Sequence, residues 1–119
     1  MSLRLAIHLA TQSRFKYRLG AVVVKSGRVL STGVNEIRFT HFNFPKKHEI
    51  SLHAEQAAIL KLLRTRRMID LCGATLYVSR IDSKGNPRLA KPCPICLELI
   101  HTVGIKRTVY TTSDGIGKI

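Results

Sequence analysis

The stretch LGAVVVKSGRVLSTGV, residues 19–34, sets the architecture of the chain. Its first half is an apolar run rich in valine, and its second half returns as another extended run. The turn between them contains Gly27, and a short glycine-containing turn between two such runs is a hairpin signal. The sequence therefore predicts two adjacent antiparallel strands near the start of the chain.

Helical and extended patterns alternate on both sides of this hairpin. The expected helices cover residues 2–13, 54–63 and 92–101, and the further expected strands cover residues 74–79 and 106–112. Ser51 is the expected cap of the second helix. Residues 113–119 are the only material for a fifth strand, and residues 36–52 have no clear period and read as a long loop. This order predicts an α/β fold, with a mixed sheet of four to five strands flanked by helices.

The composition indicates one compact domain with a large excess of positive charge. A chain of 119 residues can bury a core of its own, and no stretch approaches the ~20 apolar residues of a membrane span. Twenty Lys and Arg against seven Asp and Glu give a net charge of +13. Such an excess attracts nucleotide phosphates or nucleic acid, although the cations are scattered enough to form only a solvated surface. We therefore expect no membrane contact and leave the anionic partner open.

Cysteine usage indicates the compartment. The count of three cysteines is odd, and residues 1–10 read as a helix of the domain and not as a signal peptide. In a reducing compartment, cysteines serve as ligands more often than as disulfides. We therefore expect a cytoplasmic protein.

Two fragments at expected helix starts combine residues that bind metals. The first is His53-Ala54-Glu55, and the second is PCPIC, residues 92–96, which contains Cys93 and Cys96. One imidazole and two thiolates suit Zn²⁺, and the positive end of a helix favours the thiolate form. Three protein ligands leave the fourth coordination position open to water, which is typical of catalytic zinc.

Glu55 is the candidate catalytic residue. It lies two residues beyond His53 and could approach water at the open position without binding the ion. Zinc lowers the pKa of such a water from about 15.7 toward ~7, and a nearby carboxylate can accept its proton. The alternative is a purely electrostatic role for Glu55 at the helix N-terminus.

The cysteine pair allows two further interpretations. A redox pair of the thioredoxin type would need a strand directly before the motif, where residues 80–91 read as a loop. A structural zinc would need a fourth donor, for which Cys72, His48 and His101 are candidates. Cys72 also reads as a small buried filler before Gly73.

The chain resembles the cytidine and deoxycytidylate deaminase superfamily. The signature H-x-E…P-C-x-x-C of zinc nucleobase deaminases occurs at His53 and at residues 92–96. Other fragments follow in the order typical of the family, namely LGAVVV (19–24), STGVN (31–35), GATLYV (73–78) and GIKRTVY (104–110). The resemblance implies one CMP/dCMP-type deaminase domain over residues 1–119, a three-layer cytidine-deaminase-like fold and zinc between the two helix starts. It also implies that Asn35 contacts the substrate and that the Ala54 backbone lies against the base.

The resemblance further implies hydrolytic deamination of a cytosine nucleotide or nucleoside. We expect dCMP because residues 19–35 look more like deoxycytidylate deaminases than tRNA adenosine deaminases. Basic residues would hold the phosphate, and homo-oligomers are expected because relatives commonly assemble. Residues 39–47 hold three of the four phenylalanines among cations, which suits base stacking, a subunit interface or a lid. A deaminase acting on cytosine or adenine within single-stranded DNA or RNA is therefore an alternative. A non-catalytic, zinc-stabilised nucleic-acid-binding domain is the second alternative.

Overall fold

The computed structural model describes residues 2–13, 18–40 and 48–119. Its helices are α1 (Ser2–Ala10), α2 (Ala54–Thr65) and α3 (Pro94–Thr102), and a short 3₁₀ turn covers Met68–Leu71. Its strands are β1 (Arg18–Lys25), β2 (Arg28–Val34), β3 (Glu36–Thr40), β4 (His48–Leu52), β5 (Thr75–Ile81), β6 (Pro87–Arg88), β7 (Arg107–Thr111) and β8 (Ile116–Lys118). No helix among these residues is both long enough and apolar enough to cross a membrane.

The main sheet has the strand order β2-β1-β5-β7-β8, and β6 pairs with β5 beside this path. β1 runs antiparallel to β2 and β5, whereas β5 and β7 are parallel and are connected through α3. β8 returns antiparallel to β7 and supplies the fifth strand. The predicted α/β fold with a mixed sheet is confirmed. The sheet has six strands because the two-residue β6, inside the expected loop at 80–91, also pairs.

The predicted hairpin at residues 19–34 is confirmed. Lys25 pairs with Arg28, and the two residues between them, Ser26 and Gly27, have φ angles of 53° and 74°. Positive φ at both central positions is the geometry of a type I′ turn, whose twist matches that of the flanking strands. The chain therefore reverses in two residues at this point.

The expected long loop at residues 36–52 is wrong at its two ends. β3 and β4 pair antiparallel, from Glu36 opposite Leu52 to Thr40 opposite His48. Ladder hydrogen bonds join backbones and need no apolar period, so a search for periodicity missed this ribbon. Ser51 lies within β4 and does not cap α2, whose N-cap is His53. Most of the expected loop at 39–47 falls outside the described residues.

Two glycines show how the helices form layers on the sheet. Gly33 pairs with Ala21, and Gly20 is the neighbour of Ala21 in β1. Because successive residues of a strand point to opposite faces, Gly20 and Gly33 lie on opposite faces. A side chain on Gly20 would meet the backbone of α1, and one on Gly33 would meet the backbone of α2. The helices α1 and α2 thus cover opposite faces, and the sheet is the middle of three layers.

The larger cluster of buried residues lies on the face that carries α2. It joins the sheet to both later helices through Ala21, Val23, Leu76, Val78, Ile59 and Ile100, among others. Ile100 belongs to α3, so α3 shares this face with α2. These two helices are therefore held by one core.

The role of Gly33 can be tested, because this residue controls how closely α2 approaches the sheet. A Cβ there would lie 2.5 Å from the carbonyl oxygen of Ala54 and 2.6 Å from the backbone nitrogen of Ala58. Backbone atoms cannot give way unless the helix moves. We expect Gly33→Ala to lower the free energy of unfolding by about 2–3 kcal/mol, measured by urea denaturation. Gly115→Ala is the matched control because its Cβ would meet nothing within 4 Å. An equal effect of the two substitutions would contradict this account of helix packing.

Candidate active site

Two helix N-termini form the site. His53 has extended backbone angles and is the N-cap of α2, and its N–H donates to the side-chain oxygen of Gln56 at 2.9 Å. Cys93 is the N-cap of α3 with the same extended backbone, and Pro94 occupies the first turn. Proline fits there because the first-turn N–H groups have no partner within the helix. Each helix thus begins at a residue of the predicted metal site.

The structure brings His53, Cys93 and Cys96 together. The Nδ1 atom of His53 lies 3.2 Å from Sγ of Cys96 and 3.8 Å from Sγ of Cys93, and the three donor atoms lie within 4.8 Å of one another. A tetrahedral zinc, with bonds of about 2.0 Å to nitrogen and 2.3 Å to sulfur, separates its donors by roughly 3.6–3.8 Å. The spacing of the three donors fits such an ion.

The candidates for a fourth protein donor do not join this cluster in the part of the chain that the structure describes. Cys72 and His101 are exposed and lie outside the group of donors. The side chain of His48 is not among those that the structure describes. The prediction that Cys72 is a buried filler is wrong. Gly73, with a φ of 82°, turns the chain at the surface, so that Leu71 and Ala74 are buried while Cys72 is left outside.

Glu55 lies on the first turn of α2 beside the donor cluster, and its side chain is only 3% exposed. Burial raises the pKa of this carboxyl, and hydrogen bonds from its own backbone N–H and the Cys96 thiol, with the charge of His53, offset this only partly. Its Oε1 atom has no hydrogen-bond partner among the described residues. An unsatisfied buried polar atom costs about 1–3 kcal/mol, so this oxygen points to a ligand at the site.

Burial also raises the pKa of the Cys96 thiol, and the neighbouring Glu55 carboxylate raises it further. The thiol form is therefore favoured when no cation is near. Because a metal binds the thiolate, metal binding at this site must release a proton. The orphaned Glu55 oxygen and the soft donor set both fit a bound zinc ion.

A pocket of about 290 Å³ opens onto this cluster. His53, Glu55 and Cys93 contribute to its lining, and the segment between β5 and α3 contributes Leu89 and Lys91. Arg80, near the end of β5, lines it as well. Typical small-molecule sites have volumes from about 300 Å³ upward, so the pocket suits a ligand of modest size.

Asn35 and Ala54, the two predicted substrate contacts, do not line this pocket. The Asn35 side-chain oxygen accepts hydrogen bonds from the Ser13 hydroxyl at 2.6 Å and from the backbone N–H of Leu19 at 3.1 Å. Asn35 therefore ties the end of β2 to β1 and to the residues after α1, and it fixes Leu19, which does line the pocket. Ala54 is fully buried beneath Gly33. Contact of either residue with a substrate stays a prediction.

The sequence reasoning missed Arg80 and Lys91. The sequence predicted a loop at residues 80–91 and gave it no role. In the structure, both residues line the pocket beside Glu55. The sequence does contain a sign of this role, because a cation stands at each end of the loop and Lys91 directly precedes the PCPIC motif.

Comparisons with known proteins agree with this geometry. The family model for the cytidine and deoxycytidylate deaminase zinc-binding region matches residues 1–112. A deoxycytidylate deaminase of Mycobacterium phage D29 is 32% identical in an alignment 112 positions long, with 78% of this chain and 77% of the relative covered.

Solved structures show the same architecture. A dCMP deaminase of cyanophage S-TIM5 in apo form is 27% identical, with a TM-score of 0.65, over 92% of this chain and 78% of that chain. The same enzyme in complex with dCMP and dUMP gives 25% identity and a TM-score of 0.63, over 91% and 76% of the two chains. Cytidine deaminase from Mycobacterium leprae, 23% identical, shares the fold with a TM-score of 0.58 over 98% and 88%. The expected cytidine-deaminase-like fold is confirmed.

The family model spans nearly all of the chain, including both helix starts and the cluster of His53, Cys93 and Cys96. The phage relative covers more than two thirds of the chain at more than 30% identity. This protein therefore belongs to the cytidine and deoxycytidylate deaminase family of hydrolytic deaminases.

Proposed function

We propose that this protein is a zinc-dependent deaminase that converts a cytosine nucleotide, dCMP, to its uracil form with release of ammonia. The observation that carries the proposal is the buried Glu55 carboxyl, with an unpartnered oxygen beside three converging metal donors. The similarity of this chain to the deoxycytidylate deaminase of phage D29 and to the S-TIM5 dCMP deaminase in complex with dCMP and dUMP supports the choice of substrate.

His53, Cys93 and Cys96 would hold the zinc. In such a site the ion lowers the pKa of a bound water toward ~7 and so supplies a nucleophile at neutral pH. The protein contributes donors that lie at the starts of two helices, and both helices pack on one core. The site is therefore assembled when the fold is complete.

Glu55 moves the protons. Hydrolysis forms a C–O bond at C4 of cytosine, breaks the C–N bond to the amino group and releases ammonia. Glu55 takes one proton from the attacking water and delivers it to N3 of the base. It then takes the second proton from the hydroxyl formed at C4 and delivers it to the departing amine, so that ammonia leaves and a carbonyl remains at C4. Burial raises its pKa toward the working pH, and a catalyst that must both accept and give protons is most effective there.

A second candidate keeps the chemistry and changes the substrate to cytosine within single-stranded nucleic acid. The net charge of +13 favours it, because a basic chain concentrates polyanions at its surface. The relatives that act on dCMP favour the free nucleotide instead.

The substrate can be decided by ammonia release from one zinc-loaded preparation. We expect dCMP to be turned over faster than deoxycytidine, cytidine, single-stranded DNA or tRNA, with little response to salt because one phosphate is bound. Activity on a polynucleotide would instead fall steeply as salt is added, since many counterions are released on binding. Preference for an oligonucleotide would favour the second candidate, and no ammonia from any substrate would refute deamination.

Glu55→Gln tests the proton shuttle while keeping the shape of the side chain. We expect the variant to retain zinc and to lose deamination by about 10³-fold, because the amide cannot carry protons between water and base. Glu98→Gln is the matched control, since Glu98 is an exposed acid on α3 that does not line the pocket. An active Glu55→Gln enzyme would refute the assigned role.

Cys93→Ser tests the ligand set, with Cys72→Ser as a control that changes an exposed cysteine outside the cluster. We expect Cys93→Ser to lose stoichiometric zinc and Cys72→Ser to keep it, measured by metal analysis after dialysis. Because the Cys96 thiol has a raised pKa, zinc affinity in the wild type should rise with pH, about tenfold per pH unit for each proton released. Full zinc occupancy in Cys93→Ser would show that the ligand set is wrong.

A further inference from the structure

The segment between β5 and α3 closes on itself at its tip. The Asp82 carboxylate accepts hydrogen bonds from the backbone N–H groups of Lys84 and Asn86, both at 2.9 Å. It also accepts two from the Arg88 guanidinium, at 3.2 and 2.9 Å. These bonds hold the pKa of Asp82 at about 2, chiefly through the Asn86 N–H, so the carboxylate stays charged at neutral pH. The segment is therefore an ordered hairpin.

Thr111, at the end of β7, fastens both arms of this hairpin to the sheet. Its hydroxyl accepts a hydrogen bond from the backbone N–H of Arg80 at 3.0 Å and donates one to the carbonyl oxygen of Arg88 at 2.8 Å. Its own carbonyl oxygen accepts from the N–H of Ala90 at 2.9 Å. Thr111 is only 2% exposed, so these bonds are shielded from water. One buried residue thus fixes the hairpin at three points.

These fixed points determine which charges face the pocket. Arg80 forms one of the bonds to Thr111, and Lys91 directly follows Ala90, which forms another. Both cations line the pocket, and Lys91 makes no ion pair among the described residues. Within the described lining, Glu55 is the sole acid, and it lies beside the metal donors. The rest of the pocket is thus apolar or positive, with Leu19 and Leu89 as apolar surface.

We propose that Arg80 and Lys91 bind the phosphate monoester of a free nucleotide and that Thr111 is the positioning residue that holds them at the pocket. The inference rests on the proposed function, since it names the group that distinguishes the nucleotide from its nucleoside. A phosphate monoester carries about −1.5 to −2 charge at neutral pH, which suits two cations that line the same pocket. The apolar residues are then left for the sugar and base.

Lys91→Met is the main test, because it removes the charge and keeps the length of the side chain. We expect it to lower the ratio of kcat/KM for dCMP to kcat/KM for deoxycytidine by about tenfold, mainly through KM for dCMP. Lys84→Met is the matched control, since Lys84 lies exposed in the same hairpin and does not line the pocket. It should keep the wild-type ratio. An unchanged ratio in Lys91→Met would overturn the inference while leaving deamination intact.

Thr111→Val removes the hydroxyl and nearly conserves volume, and Thr111→Ser restores the hydroxyl. We expect Val to lower the same ratio through KM for dCMP and Ser to recover most of it. A merely structural role would instead reduce turnover of both substrates alike, and that result would overturn the positioning role.

Two further measurements separate a phosphodiester ligand from a phosphate monoester and separate failure of this inference from failure of the proposed function. If the loss in Lys91→Met appears with a cytosine-containing oligonucleotide and not with dCMP, the phosphodiester is the ligand and the monoester assignment fails. If the wild type deaminates no cytosine compound, the proposed function fails, and calorimetry with dUMP and deoxyuridine decides the phosphate site. Weaker binding of dUMP to Lys91→Met than to the wild type would then support the inference, and equal binding would overturn it.

Discussion

The close approach of α2 to the sheet at Gly33 is the contact on which the site depends. The absence of a side chain lets the carbonyl oxygen of Ala54 lie almost against β2, which sets where the first turn of α2 begins. His53 and Glu55 lie on either side of Ala54, so their positions follow from this packing. The shared core holds α3 on the same face of the sheet, and the N-terminal end of α3 carries Cys93 and Cys96 beside His53. A backbone contact in the interior thus sets the geometry of the four side chains of the candidate site.

Burial has the same consequence for the two acidic side chains at this site. It disfavours the charged forms of Glu55 and Cys96, and it leaves one oxygen of the Glu55 carboxyl without a hydrogen-bond partner in the described part of the chain. An interior that only needed to be stable would contain apolar residues in these positions. The cost is explained if a cation and a reacting base complete the site, because the same low polarity then strengthens every interaction with them.

Much of this could be predicted from the sequence because its signals are local. The hairpin at 19–34 follows from two apolar runs and a glycine turn, and the donor set follows from spacing on two helix starts. The β3–β4 ribbon was missed because backbone pairing leaves little trace in side-chain period, and Cys72 was misplaced because its exposure depends on the turn at Gly73. The positions of Arg80 and Lys91 at the pocket depend on the hydroxyl of Thr111, which lies in another strand, 31 residues from Arg80 in the sequence. No local pattern reports such a contact.

The two sides of the pocket are held by separate parts of the fold. The side with Glu55 and the donor cluster is fixed by α2 and α3 on their shared core. The hairpin that forms the other side is fixed through Thr111 to the end of β7. Residues between Ile81 and Ala90 can therefore be exchanged, lengthened or trimmed with little disturbance of the donors, provided that the three anchoring bonds survive. Because the two sides are held separately, substrate choice can change while the chemistry stays the same. This hairpin is therefore the place to introduce a new specificity.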